Sequence, residues 1–461
     1  MRNIDYNNCN KKVHFIGIGG ISMSGLAKIL LAQGFKVSGS DLKLSPLTTD
    51  LGDNGIKVHL GQRKENITSD IDLVVYTAAV KCDNEELIEA KARNINCIER
   101  SQLLGEIMLN YKYSVGISGT HGKTTTTSML SHILLQANTD PTIAVGGMLD
   151  IINGNIKIGN SDYFVTEACE YCDSFLKFNP LIGVILNIEE DHMDYFKDID
   201  QIRCSFLAYS KKIPDNGYLI INGDIENINY FSDNLDCSVI TIGLNSDNYT
   251  FSAVNISYAN NIYPCFDVKY KNQILGNIIL SVPGEHNIYN ALCTIATSHC
   301  LNIPFGAIKE GLNLFKGTHK RFEYKGSLKG ITIIDDYAHH PTEIRATLKT
   351  AKKYPHNKIW CVFQPHTYTR TSAFLEDFAD SFELADTIIL ADIFAAREKN
   401  TGNIHSKDLL DKMKDKGMDS YYFPTFDEIE NFLLEKCSPG DLLITIGAGD
   451  ISIVGEELLG L

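Results

Sequence analysis

The segment YSVGISGTHGKTTTTSMLSHILLQ, residues 113–136, constrains the fold most. An apolar run rich in β-formers ends in a glycine-punctuated turn, and the turn runs into a helix at Lys123. A strand, a glycine turn and a helix start make an anion site by geometry. The first helical N–H groups have no intrahelical partner, and the helix dipole places about half a positive charge there. In GTHGKTT, Gly119, Thr120, His121, Gly122, Lys123, Thr124 and Thr125 form the candidate phosphate loop. The glycines let the backbone curl around phosphate oxygens, Lys123 reaches the β and γ phosphates, and the Thr124 hydroxyl is placed for Mg²⁺. The match to G-x-x-x-x-G-K-[ST] is imperfect: Ile117 stands five positions before Gly122, and the earlier glycine is Gly116. A glycine turn with an incidental lysine is the competing reading, and the flanking strand and helix weigh against it.

Around this unit, strand-like and helix-like segments alternate, the pattern of parallel α/β sheets. At about 150 residues per domain, the 461 residues suggest three domains. The blocks are 1–108, 109–317 and 318–461. The middle one carries a β-rich stretch with Asn-rich turns over about 217–283. FDVKYKNQILGNIILSV within it is β-rich, and AFLEDFADSFELA in the last block reads as a helix.

A second glycine turn, GIGGISMSG at 17–25, follows the strand KVHFI. Gly17 and Gly19 fit the start of G-x-G-x-x-G, but Ser22 stands at the third position, and Gly20 adds flexibility without restoring the pattern. Asp41 ends the next strand near the offset of a ribose contact. Taken alone, this loop favours a dinucleotide, and a dehydrogenase is the natural rival. A nucleotide-binding regulator without chemistry is another.

Glu167, at the end of SDYFVTEA, and His192, beyond LIGVILNI, sit where parallel strands deliver their C-terminal ends. With Thr124 they form a donor set suited to Mg²⁺ or Mn²⁺ bridging phosphate oxygens; a solvated carboxylate and a packing histidine are the plain alternatives. DDYAHHPTE (335–343) and FQPHTYTRT (363–371) gather Tyr337, His339, His366 and Arg370 after two more strands, a binding edge or in part a helix entry before Pro341. Arg321, in KRF, is either a surface charge or a phosphate ligand.

Bulk composition sets limits. The net charge of −15 argues against nucleic acid and anionic membranes as partners, and the 44% apolar, 21% charged balance is that of a globular protein. The twelve cysteines are scattered, so free thiols in a reducing cytoplasm are expected. MRNIDYNNCNKK shows no secretory pattern.

Taken in order, KVHFIGIGGISMSGLA, GTHGKTTTT, EACEYCDSFL, NIEEDHMDYF, GEHNIYNAL, KRFEYKG, DDYAHHPTEI, FQPHTYTRT and GAGD resemble the motif series of the Mur ligases along the whole chain. The resemblance implies three domains: a Rossmann-like one that holds a UDP-sugar, a central P-loop ATPase-like one with a β-rich insertion, and a Rossmann-like C-terminal one for an amino acid. It implies a cytoplasmic ATP- and Mg²⁺-dependent ligase, monomeric or homodimeric. Such an enzyme joins L-alanine to the lactyl carboxylate of UDP-N-acetylmuramic acid through an acyl phosphate. By motif, Lys123 and Thr124 would serve ATP and Mg²⁺, with Glu167 and His192 as further metal contacts. His286, Asn287 and Asn290 would meet adenine and ribose, and Arg321 would reach ATP. Gly17, Gly19, Gly20 and Asp41 would serve the UDP-sugar; Tyr337, His339, His366 and Arg370 would line the alanine pocket, with His339 as a general base. Three positions depart from the family's habit: Thr367 where some members have arginine, Phe206 near the place of a carbamylated lysine, and Cys169 where aspartate is common.

Overall fold

In the computed structural model, the structure describes residues 10–77, 79–396, 398–400 and 402–461. The chain divides into two compact units: Met1–Ile188, Arg203–Thr241 and Cys293–Ile308 form unit 1, and Glu189–Ile202, Ile242–Leu292 and Lys309–Leu461 form unit 2.

Unit 1 holds one whole sheet and part of a second. Strands β1 (Lys12–Ile16), β2 (Lys36–Asp41), β3 (Lys57–Leu60), β4 (Leu73–Tyr76) and β5 (Asn96–Glu99) form a wholly parallel sheet in the order β3-β2-β1-β4-β5. The order reverses at β1, so the loop leaving β1 opens at the place where doubly wound sheets bind ligands. The part of the second sheet within unit 1 comprises β6 (Tyr113–Ser118), β7 (Thr142–Leu149), β8 (Gly154–Lys157), β9 (Tyr163–Glu167), β10 (Ile182–Ile185) and β11 (Tyr218–Asn222). Its order is β11-β10-β6-β9-β7-β8, parallel except for β8. The P-loop strand β6 is therefore central, with the ends of β9 and β10 on either side.

The chain passes between units within β12 (Ser238–Leu244). In unit 2, β13 (Phe251–Ala259), β14 (Tyr263–Tyr270) and β15 (Gln273–Ile279) form an antiparallel meander. Within FDVKYKNQILGNIILSV the backbone folds back at Lys271, in the left-handed conformation, between β14 and β15. This β-rich stretch belongs with the C-terminal residues in unit 2, where the Lys353 ammonium lies 3.8 Å above the Tyr258 ring.

Unit 2 also holds β16 (Glu323–Leu328), β17 (Ile331–Asp336), β18 (Ile359–Phe363), β19 (Thr387–Leu390), β20 (Ser420–Tyr422) and β21 (Leu442–Ile446), in the order β16-β17-β21-β18-β19-β20. Only β16 is antiparallel. Both faces are buried. Ile334, Cys361, Phe363, Ile388 and Ile444 pack on one side; Ile333, Trp360, Val362, Ile389 and Leu443 pack on the other. Alternating apolar residues on two covered faces produce the continuous apolar runs of a parallel sheet. The helix expected over AFLEDFADSFELA is shorter: a first helix spans Tyr368–Ala373 and a second Leu375–Ser381, broken at Phe374 (φ −112°). Among the described residues, no helix is long and apolar enough to cross a membrane.

Candidate active site

The P-loop forms as the sequence reading expects. β6 ends at Ser118, and the helix Lys123–Gln136 begins after Gly122, whose φ of +85° is left-handed. No side chain caps this helix, so its first N–H groups face outward as anion donors. Gly119 has φ +140°, and a Cβ there would lie 2.8 Å from Leu186 Cβ. Only glycine lets the loop approach the end of β10 this closely. Asn187, just beyond β10, clasps the loop. Its Oδ1 accepts the His121 N–H (2.7 Å), its Nδ2 donates to the His121 carbonyl (3.1 Å), and its own carbonyl accepts the Thr120 N–H (3.2 Å). Lys123 Nζ folds back onto the Gly119 and Thr120 carbonyls and onto Glu170. Burial would lower its pKa, but the Glu170 charge outweighs burial and raises it.

Thr124 and Glu167 flank one backbone segment. A Cβ on Gly147 would lie 3.2 Å from Thr124 Cγ2, and one on Gly146 would lie 3.0 Å from the Glu167 oxygens. Glu167 Oε1 accepts the Gly146 N–H at 2.6 Å. An uncapped helix end, a glycine cradle and oxygen donors at adjacent strand ends suit a magnesium–triphosphate. Cys169 follows, its thiol pushed up to about 11, first by burial and then by Glu170, which makes it a poor nucleophile. Phe206 packs in the core, edge-on to Phe175 at 5.3 Å. Among the described residues Cys169 is a free thiol; Cys9 lies outside them.

The first glycine loop is also built at a strand end. Gly17 (φ +80°) and Ile18 donate to the Ser40 carbonyl (2.8 and 3.0 Å), and Gly20 precedes the uncapped helix Ile21–Ala32. Asp41 Oδ2 accepts the Gly19 N–H at 2.9 Å, so this carboxylate shapes the loop. The half-buried Arg100 donates to Ser22 Oγ at 3.0 Å and brings a cation to the same turn, a contact the sequence motif did not reveal.

In unit 2, β21 lies between β17 and β18, so the loops leaving β17 and β18 border the same strand. Tyr337 and His339 follow β17; His366 and Arg370 follow β18. The His339 and His366 rings are 5.8 Å apart, and Arg370 Nη1 lies 3.3 Å from His366 Nδ1. Arg370 also grips Asp191 Oδ1 through Nε (3.3 Å) and Nη2 (2.8 Å). His192, at φ +54°, donates its N–H to Asp191 Oδ1 at 2.7 Å. Arg321 stacks on Tyr337, 5.1 Å from the ring centroid, and its Nη1 is 3.7 Å from Glu343. His339 Nδ1 faces the Tyr337 carbonyl at 3.0 Å, so that nitrogen carries the proton and Nε2 does not. Burial, then Arg370 against the opposing pull of Glu343, pushes His339 down to about 4. The ring is neutral at physiological pH. His286 opens the helix His286–Cys300 at an exposed position, while Asn287 and Asn290 are buried behind it and joined by a 3.0 Å hydrogen bond. The GAGD turn is locked by Gln364, which donates to Asp450 Oδ1 (2.8 Å) and accepts the Asp450 N–H (3.0 Å).

The structure adds Glu170, Asn187, Asp191 and Glu343 to the residues singled out from sequence. All four lie inside motif stretches already noted, but the charge partners are distant in the chain: 47 residues from Glu170 to Lys123 and 179 from Asp191 to Arg370.

Comparison with known proteins agrees with this geometry. Residues 12–112 match the model "Mur ligase family, catalytic domain", 117–298 the "Mur ligase middle domain", and 320–449 "Mur ligase, glutamate ligase domain". The chain is 56% identical over 452 residues to the UDP-N-acetylmuramate–L-alanine ligase of Clostridium botulinum (strain Langeland), covering 98% of each chain. It is 55% identical over 450 residues to that of Clostridium beijerinckii, again covering 98% of each. Among solved structures, the UDP-N-acetylmuramate-alanine ligase MurC of Thermotoga maritima superposes with a TM-score of 0.79 at 29% identity, covering 97% of this chain and 98% of that one. A murein peptide ligase of Psychrobacter arcticus gives 0.71 at 25%, covering 98% of each. The chain belongs to the Mur ligase family.

Proposed function

We propose that this chain is an ATP-dependent ligase that joins L-alanine to the lactyl carboxylate of UDP-N-acetylmuramate, a cytoplasmic step in building peptidoglycan precursors. The observation that carries the reading is end-to-end identity of 56% to ligases of that name, together with a P-loop whose helix end is uncapped and whose lysine is in place.

A carboxylate resists amine attack because oxide is a poor leaving group. Transfer of the ATP γ-phosphoryl group to the lactyl carboxylate breaks the terminal P–O bond, forms an acyl phosphate and releases ADP. The alanine amine then attacks the acyl carbon, and phosphate leaves with its electron pair. Lys123 and the first N–H groups of its helix offset charge on the moving phosphoryl group, and Arg321 is the arginine that the motif series assigns to ATP. Magnesium, held by Thr124, Glu167 and His192, would neutralise phosphate oxygens when bound. Arg370 takes the alanine carboxylate, its guanidinium aimed by Asp191 and His366. His339, neutral with Nδ1–H fixed, offers Nε2 to the alkylammonium proton. Gly17, Gly19 and Gly20, with Asp41 shaping the turn, receive the UDP-sugar. His286, Asn287 and Asn290 border the adenosine. Domain boundaries fall near residues 108 and 317.

The test is phosphate release with each substrate omitted in turn. Release that needs ATP, L-alanine and UDP-N-acetylmuramate together is expected, and Lys123→Ala should abolish it while UDP-sugar binding survives. Turnover with a tripeptide in place of L-alanine would instead make the chain a murein peptide ligase, and release without any amino acid would refute both.

A further inference from the structure

The P-loop lysine already has a full set of partners from within its own unit. Lys123 Nζ donates to the carbonyls of Gly119 and Thr120 and lies 2.9 and 3.2 Å from the two Glu170 oxygens. An ammonium carries three protons, so these four acceptors leave none for a phosphate. The pair is withdrawn from water: Glu170 is 2% exposed, and charge-assisted bonds are strong in such surroundings. Glu170 cannot drift away as a loose surface carboxylate would. It sits at the start of the tight turn Tyr171–Lys177, where its carbonyl accepts the Asp173 N–H at 2.9 Å. Cys172 and Asp173 are both held at left-handed φ (53° and 52°), and Asp173 is hydrogen-bonded by Ser205.

We propose that Glu170 is a positioning residue that competes with nucleotide phosphates for Lys123, which keeps the loop's affinity for ADP low enough for release. The inference rests on the ligase reading above. Polyphosphate oxygens entering the loop must replace at least one Glu170 contact on the ammonium. The displaced carboxylate then faces like charge across a few ångströms. Both effects oppose nucleotide binding, and both end when the nucleotide leaves and Glu170 returns. The exchange swaps one anion for another on the same cation; no covalent bond changes.

Glu170→Gln keeps the shape and removes the charge. Titration calorimetry of ADP with magnesium into the full-length wild type and E170Q gives the decisive comparison, with steady-state KM for ATP and kcat beside it. Removing the competitor should tighten ADP binding by about tenfold, roughly 1.4 kcal/mol. KM for ATP should fall and kcat should fall with it, as ADP release slows. Glu170→Asp, which keeps the charge but shortens its reach, should lie between the two, and it serves alone if circular dichroism shows E170Q unfolded. A purely structural role for Glu170 would lower the melting temperature without tightening ADP binding. An ADP affinity unchanged or weaker in both variants overturns the inference and leaves the ligase reading intact. Wild-type phosphate release that ignores L-alanine would refute the ligase reading while leaving the ADP comparison valid.

Discussion

Asp191 and Arg370 are the sharpest place to test the energetics of unit 2. Their closest contact is 2.8 Å, and their side chains are only 7% and 11% exposed. Burial alone would raise the Asp191 pKa. The Arg370 charge and then His192 outweigh it and hold the carboxyl well below the usual range. Each ion in such a pair has lost its hydration and is compensated mainly by its partner, so removing one leaves a buried, uncompensated charge. That costs about 3–5 kcal/mol, whereas replacing both ions by neutral groups costs far less. Asp191→Ala should therefore be much worse than the double variant Asp191→Ala/Arg370→Met implies. The assay is built into the chain. Trp360 is its only tryptophan, it is buried in β18, and its Nε1 donates to Asp441 at 2.9 Å. Its fluorescence therefore reports the unfolding of unit 2 in urea. With a slope of about 2–3 kcal/mol per molar, Asp191→Ala should lower the midpoint by roughly 1–2 M. The double variant should recover at least about 2 kcal/mol relative to the sum of the single losses. A loss below about 1 kcal/mol for Asp191→Ala, or strictly additive losses, would refute the buried-pair reasoning.

Three further outcomes follow from individual geometries. Gly119→Ala places a Cβ 2.8 Å from Leu186 Cβ at φ +140°; strain and overpacking of about 2–4 kcal/mol should lower the melting temperature and raise KM for ATP. Thr367 is a β-branched residue at φ +65°, ψ 146°, a region that costs a non-glycine residue about 1–3 kcal/mol. Thr367→Gly should stabilise the protein by about 1 kcal/mol in thermal unfolding, while looser His366 and Arg370 raise KM for L-alanine. Asp336 is buried, and burial, opposed by Arg321, raises its pKa from 3.8 to about 6. A carboxyl raised on folding favours the fold below its unfolded pKa, and that contribution is lost as pH rises through the folded one. The gap between 3.8 and about 6 converts to roughly 3 kcal/mol. The stability of the wild type relative to Asp336→Asn should therefore fall by that amount between pH 4 and 7, and a flat difference would contradict the burial argument.

What was legible in the residues, and what was not, follows from the range of the interactions. GISGTHGKT could be read because the anion site is local: a strand end, two glycines and a helix start lie within a dozen residues and need no distant partner. The apolar runs IWCVF and LLITI were legible for the same reason, since burial on both sheet faces marks every position of a short segment. Helix breaks inside longer runs were less so: Phe374 carries no Gly or Pro signal, and the backbone turns there because of the packing on either side. The charge partners were illegible in principle. Nothing in EACE indicates that its second glutamate meets Lys123, because that meeting depends on β9 lying beside β6 in the sheet. Asp191 likewise reads as one acid among several in NIEEDHMD, and only the fold aims Arg370 at it. The chemistry-bearing residues are thus announced by motif, while the residues that set their charge state and orientation are chosen by topology. Candidate positioning residues in a chain of this kind are best sought among acids beside a motif whose neighbouring strand ends carry an unexplained cation, the pattern shared by Glu170 with Lys123 and Asp191 with Arg370.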